Sequence, residues 1–169
     1  MSSPHATIAV VFDFDDTLLP DSTTSLLEAH GIDPKIFWGV KTKELVLSGY
    51  DPTLAYLKLI LDNVGKGKPF GSLTNKNLRK FGATLEKKFF PGVSTLFGDL
   101  KNIVGKFQDI HLEFYIVSGG LQEVILGSKL VQKHFSGVYG CKLTGDTEDG
   151  PLKYIKRCIT FTEKTRFIF

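Results

Sequence analysis

The run Thr7 to Phe12 is apolar and rich in β-branched side chains, and it stops abruptly at Asp13, Asp15 and Asp16. A run of that length, bounded by polar residues, reads as a buried strand whose carboxyl end opens into a polar loop. In open α/β sheets that edge is where ligands bind. A second apolar run, Leu112 to Val117, ends in Ser118, Gly119 and Gly120 before a helix carrying Leu121, Val124, Ile125 and Leu130. Strand, turn and helix in that order predict a parallel βαβ arrangement.

Between the two runs the texture is helical. Asp33 and Asp51 each precede a proline, offering an N-cap followed by Pro at the first helical position. Gly31, Gly49 and Gly65 are matching stops. The spacing predicts helices over Lys35 to Ser48 and Thr53 to Val64, and a weaker one over Asn75 to Lys88, where Gly82 interrupts. After Phe90, Pro91 and Gly92, an apolar stripe from Val93 through Phe97 and Leu100 to Ile103 and Val104 reads as a core-facing helix. Val138 to Leu143 and Tyr154 to Thr162 are further strand candidates, joined by the acidic stretch Gly145 to Gly150, which reads as a hairpin turn. The expected fold class is α/β: a Rossmann-like parallel sheet core over residues 1–21 and 91–169, with an inserted α-helical cap over 22–90.

Composition removes several alternatives. With 169 residues and 42% hydrophobic side chains, the chain can bury the core of one α/β domain with a modest insertion. The first residues carry no basic region and Asp13 cuts short the only early apolar run, so neither a signal peptide nor a membrane span is predicted, and a cytoplasmic location is the default. Cys141 and Cys158 lack CxxC spacing, which argues against a zinc knuckle or a disulfide scaffold. A formal charge of +3 is too small to suggest nucleic acid. The charge is uneven, however: Ser22 to Phe90 holds eleven Lys/Arg against six Asp/Glu. Attraction of small anionic substrates would account for this, as would solvated helix faces.

Asp13, Asp15 and Asp16 crowd three carboxylates into one loop, where like charges raise each other's pKa unless a cation or hydrogen-bond donors offset them. A hard divalent ion such as Mg²⁺ meets that need. Alternation along an extended strand end puts Asp13 and Asp15 on one side, able to share a site as metal ligands, and leaves Asp16 to bond locally. Asp13 can attack phosphorus to form an aspartyl-phosphate. Asp15, when protonated, can supply the leaving alkoxide with a proton and later take one from water. Thr17 can orient the loop near the phosphoryl group or simply turn the chain.

The residues Asp13 to Leu18 resemble the first motif of the haloacid dehalogenase-like (HAD) hydrolase superfamily, and the resemblance continues along the chain. Val117 and Ser118, at the end of an apolar strand, resemble the second motif, whose Ser or Thr binds the phosphoryl group. The helical segment resembles the cap that many members insert between these motifs, and Phe90 to Val93 resembles the usual return to the core. Glu163, Lys164 and Thr165 resemble the third motif, whose Lys steadies nucleophile and phosphate; Lys153, Lys156 and Arg166 are competing cations nearby. The resemblance implies an Mg²⁺-dependent phosphatase, because Asp two positions after the nucleophile accompanies phosphatases and mutases. The Ser118 hydroxyl and the amides of Gly119 and Gly120, at a helix N-terminus, make a ready phosphate cradle.

A fourth motif, an acidic Gly-Asp-rich loop after the Lys, is not found before Phe169, and Asp146 and Asp149 precede the Lys. The apolar ending Arg166 to Phe169 reads as an element in mid-course, so a truncated chain is expected. Gly65 to Lys68 lacks phosphate-loop spacing, the four histidines lack metal-ligand spacing, and no GxSxG elbow occurs. The sequence therefore points to phosphomonoester hydrolysis on a small phosphorylated substrate, with no nucleic-acid or membrane partner. A phosphotransferase or mutase, or a non-catalytic phosphate- or metal-binding protein, is the alternative.

Overall fold

Strand β1 (Ala6–Phe12) lies parallel to β2 (Ile110–Leu121), from Ala6 opposite Ile110 to Phe12 opposite Ile116, in a computed structural model that describes residues 6–107 and 109–167. β2 pairs in parallel with β3 (Gly137–Thr144), and β3 pairs antiparallel with β4 (Tyr154–Arg157), giving the order β1-β2-β3-β4. The sheet is therefore mixed rather than all parallel. The reversal is made by the acidic turn: the Lys153 amide donates to the Thr144 carbonyl at 2.8 Å, and Asp146 accepts from Lys153 and from Tyr154.

The strand expected to reach Thr162 stops at Arg157. Ile159 is fully buried, and its amide donates to Cys141 Sγ at 3.3 Å instead of to a ladder carbonyl. Burying that one side chain pulls the backbone off the sheet, and a short 3₁₀ turn follows at Lys164–Phe167. The last two residues of the apolar ending, and the first five of the chain, lie outside the described residues.

Parallel neighbours need crossovers, and the helices supply them. Helix α1 (Ser22–Ala29) is capped by Asp21, α2 (Pro34–Ile36) by Asp33 and α4 (Pro52–Asp62) by Asp51, each carboxylate accepting amides of the first turn. Gly31, Gly49 and Gly65 all adopt positive φ, as stops do. The predicted helix over Lys35 to Ser48 is not regular: after α2 the chain makes a π-helical turn at Phe37–Thr42 before α3 (Lys43–Leu47). Thr42 Oγ1 donates to the Phe37 carbonyl at 2.9 Å within that wider turn. Such insertions cluster at functional sites, and this one carries Trp38 and Thr42.

Helix α5 (Asn75–Thr84) begins with a reciprocal capping box between Thr74 and Asn77. Gly82 does not break it. A Cβ there would sit 1.9 Å from the Val124 carbonyl oxygen of α7 (Gln122–Ile125), so the glycine lets the two helices touch. Propensity alone mistook a packing device for an interruption. Gly82→Ala is expected to destabilise the fold by about 3 kcal/mol, the upper end for overpacking; chemical denaturation would measure it, and an unchanged midpoint would contradict the close approach.

Helix α6 (Val93–Val104) buries Val93 and Phe97, but its stripe fades: Ile103 is exposed, against the expectation of a core-facing face along its whole length. Phe97 meets Phe12, Phe114 and Phe135 at ring-centroid distances of 5.8, 5.1 and 5.0 Å, edge to face. Each such pair adds about 1 kcal/mol beyond area burial, and the group ties α6 to the sheet and to the residue following α8 (Lys129–His134). One continuous buried cluster joins Leu26, Leu57 and Ile60 of the helical segment to Phe114 and Ile116 of β2. A separate cap over residues 22–90 thus remains a proposal about domain organisation. Among the described residues no helix is long and apolar enough to cross a membrane.

Candidate functional site

β1 leaves the sheet at Phe12, and the next residues form a tight, anchored loop. The Phe14 carbonyl accepts the amides of Thr17 and Leu18, and the Asp16 amide donates to the Leu19 carbonyl at 2.8 Å. Phe14, Leu18 and Leu19 are buried, whereas Asp16 and Thr17 between them are exposed. Asp16 takes φ 57, a left-handed conformation that Asp tolerates better than most residues, and its carboxylate accepts the Asp21 amide at 3.3 Å. This is the local role expected for it. Thr17 is exposed, and its amide bond to Phe14 makes it a turn residue in this structure.

Asp13 Oδ1 accepts the Phe14 amide at 2.8 Å, and Oδ2 accepts from Lys164 Nζ. The ion pair joins residues 151 positions apart and is partly open to solvent, with side-chain exposures of 24% and 37%. The competing cations go elsewhere: Lys153 binds Asp146, Arg166 pairs with Glu163, and Lys156 is exposed. Lys164 reaches Asp13 from the 3₁₀ turn that follows a loop, not from the end of a strand as the resemblance implied.

Asp15 sits deeper. Its Oδ1 accepts the Ser22 amide at 2.8 Å, while Oδ2 lies where a Cβ on Gly120 would be, 2.4 Å away. Burial pushes its pKa up from 3.8 to about 6; the hydrogen bonds from Ser22 pull against this, and the charges of Asp21 and Asp13 add to the rise. Asp15 therefore keeps its proton to higher pH than an ordinary carboxyl.

Ser118 is buried, and its Oγ accepts the Gly120 amide at 3.0 Å. Gly120 is thus needed for the approach of Asp15 and Ser118, and its amide is already engaged. The Gly119 carbonyl accepts from Tyr56 Oη and Cys141 Sγ. These glycines do not open a helix: β2 runs on through Leu121 with an irregular register, and α7 begins at Gln122 and is four residues long. The expected helix N-terminal cradle is replaced by a strand end at which Ser118, Gly120 and Asp15 touch.

Above this strand end lies a cavity of about 260 Å³. Asp15, Gly119, Gly120 and Lys164 line one end, and Trp38, Tyr56, Pro52 and Phe161 line much of the rest. Trp38 and Tyr56 carry no signal in the sequence; the π-helical turn and the hydrogen bond from Tyr56 to Gly119 bring them in. Among the described residues no group of three or more His, Cys, Asp or Glu could hold a metal ion. Mg²⁺ is commonly bound through one or two carboxylates together with substrate phosphate and water. Asp13 and Asp15 provide that number, so the residues fit such an ion only with a phosphoryl oxygen completing its shell.

Comparison with known proteins agrees with this architecture. No protein-family model matches the chain. It is 34% identical over 151 residues to an uncharacterized protein of Borreliella burgdorferi, a match covering 84% of this chain and 52% of that protein. It superposes on a HAD family hydrolase of Salmonella enterica serovar Typhi with a TM-score of 0.64 at 14% identity, covering 98% of this chain and 50% of the other. A phosphoserine phosphohydrolase-like protein of Francisella tularensis gives a TM-score of 0.52 at 19% identity, with 94% and 72% covered. The chain spans about half the length of the curated relative it matches. At these identities the solved structures establish the fold and leave the chemistry to the residues.

Proposed function

For a chain with the haloacid dehalogenase-like fold, we propose phosphomonoester hydrolysis through an aspartyl-phosphate on Asp13, acting on a small phosphorylated substrate. The observation that carries this reading is the meeting, at one strand end, of a lysine-paired carboxylate with a carboxyl whose pKa is raised to about 6. Two carboxylates in unlike environments divide the roles of nucleophile and acid-base. A carboxyl near that pKa holds a proton often enough to give it to an alkoxide and loses it readily enough to take one from water at neutral pH.

In the first step a carboxylate oxygen of Asp13 bonds to phosphorus, the ester P–O bond breaks, and Asp15 Oδ2 passes its proton to the departing alkoxide. In the second, ionised Asp15 takes a proton from water as the water oxygen attacks the same phosphorus, releasing inorganic phosphate and the Asp13 carboxylate. Lys164 holds Asp13 in orientation and offsets charge shared between carboxylate and phosphoryl oxygens. Ser118 Oγ, which accepts the Gly120 amide, holds that glycine at the strand end against Asp15. Mg²⁺, held by Asp13 and Asp15 with the phosphate, would supply further charge neutralisation.

Release of p-nitrophenol from p-nitrophenyl phosphate by the purified chain, with and without added Mg²⁺, tests the proposal. Metal-dependent turnover is expected; its absence at high protein concentration would count against hydrolysis by this chain. Lys164→Ala is expected to lower kcat/KM by about 10²-fold or more, with little recovery in Lys164→Arg, since a planar guanidinium does not reproduce a compact ammonium. Equal rates in the alanine variant would remove Lys164 from the site.

A further inference from the structure

We infer that the cavity takes a phosphomonoester whose alcohol is apolar and uncharged, best an aryl or similarly flat group, rather than an amino acid, sugar acid or other carboxylated alcohol. The inference rests on the phosphoester reading above for the polar end of the ligand. It goes further in assigning the other end.

The walls carry the argument. Trp38 and Tyr56 pack at 5.7 Å between ring centroids, inclined by 56°, so two aromatic surfaces meet in the cavity wall. Both are held: Trp38 Nε1 donates to Thr24 Oγ1 at 2.9 Å, and Tyr56 donates to the Gly119 carbonyl beside the proposed reaction centre. Their polar ends are thus used within the protein, and what remains for a ligand is ring surface. Phe161 adds a third ring and is 77% exposed, as befits a residue at an entrance. Fixed aromatic surface favours a flat apolar partner by area burial and ring-ring geometry.

Charge points the same way. Among the described residues lining the cavity, Lys164 is the one cation, and it is paired with Asp13. Asp15 and Asp21 also line it. The basic excess of residues 22–90 lies elsewhere, since none of those eleven Lys and Arg borders the cavity. A carboxylate on the alcohol would therefore enter without a partner and face two acids, which is strongly unfavourable.

Trp38 is the only tryptophan of the chain, so its fluorescence reports occupancy directly. The full chain would be titrated with phenylphosphonate, which cannot be hydrolysed, and with 3-phosphonopropionate, which carries a carboxylate and no ammonium. Phenylphosphonate is expected to perturb Trp38 and to bind at least about tenfold more tightly. Equal or tighter binding of the carboxylated ligand, or no response to phenylphosphonate, would overturn the assignment. The exposed Phe161, changed to Ser, keeps the test independent of folding: the preference should narrow in Phe161→Ser, and an unaltered ratio would remove that ring from the site. Turnover of phenyl phosphate and phosphoserine separates the two levels of inference. Binding of the aryl ligand without hydrolysis of either ester would retain the pocket assignment and reject the hydrolase; efficient hydrolysis with phosphoserine preferred would do the reverse.

Discussion

Asp13→Asn should abolish phosphatase turnover, on the order of 10⁴-fold or more as for other nucleophile deletions, while leaving thermal stability nearly unchanged. The loss follows from chemistry: a neutral amide is a poor nucleophile toward phosphorus and cannot form the acyl-phosphate. The small effect on stability follows from geometry. The Asp13–Lys164 pair is partly solvated, with 37% and 24% side-chain exposure, and pairs of that kind contribute below about 1 kcal/mol. The Asn oxygen can still accept the Phe14 amide. Initial rates under saturating p-nitrophenyl phosphate, beside a calorimetric scan of both proteins, would measure the two quantities. Residual activity within tenfold of the parent would exclude Asp13 as nucleophile; a collapse in stability would show that the pair is structural.

Asp15→Asn should pull stability and activity in opposite directions. Burial raises the Asp15 pKa from 3.8 to about 6 in the folded chain. Below 3.8 the carboxyl is protonated whether folded or unfolded and its burial is without charge. As pH rises towards about 6 the unfolded chain releases its proton first, and the stability associated with the neutral carboxyl is lost. Above that, the folded chain carries the full penalty of a buried charge, about 3 kcal/mol for a shift of this size. The amide removes the penalty and keeps the Ser22 N–H bond. In the metal-free chain its Tm should rise by about 5–10 °C at pH 7.5, with no gain near pH 3.5. Activity should fall by about 10²–10⁴-fold, the range for a lost general acid-base. The kcat/KM of the parent should decline as pH rises above about 6, where Asp15 loses the proton needed by the leaving group. A variant destabilised at pH 7.5 would contradict the raised pKa.

What local sequence reveals here is what local contacts determine. Asp33-Pro34 and Asp51-Pro52 start helices because each carboxylate caps amides two and three residues ahead. The loop from Asp13 to Asp21 is readable for the same reason. Its apolar residues Phe14, Leu18 and Leu19 are buried, and Asp16 accepts the amide of Asp21 only five positions ahead. Features fixed by distant partners were not legible. Gly82 looks like a helix breaker until the backbone of Val124 is set against it. Ile159 looks like a strand residue until its burial beside Cys141 lifts it from the ladder. Ser118, Gly119 and Gly120 look like the start of a helix, yet the close approach of Asp15 to Gly120 belongs to a strand end. Trp38 and Tyr56 form the site's aromatic wall only because a π-helical turn and a bond to Gly119 carry them there.

The span of the Asp13–Lys164 pair has a temporal consequence. The cation is made 151 residues after the carboxylate. At translation speeds of about 5–20 residues per second, the nascent chain spends roughly eight to thirty seconds with β1 and its acidic loop already made and the lysine still unmade. Helices and the β1–β2 crossover can settle in that interval, but the reactive pairing cannot. Closure of the Asp13–Lys164 pair therefore waits on every element between the two residues, and a nascent chain short of Lys164 would hold the acidic loop without its cation.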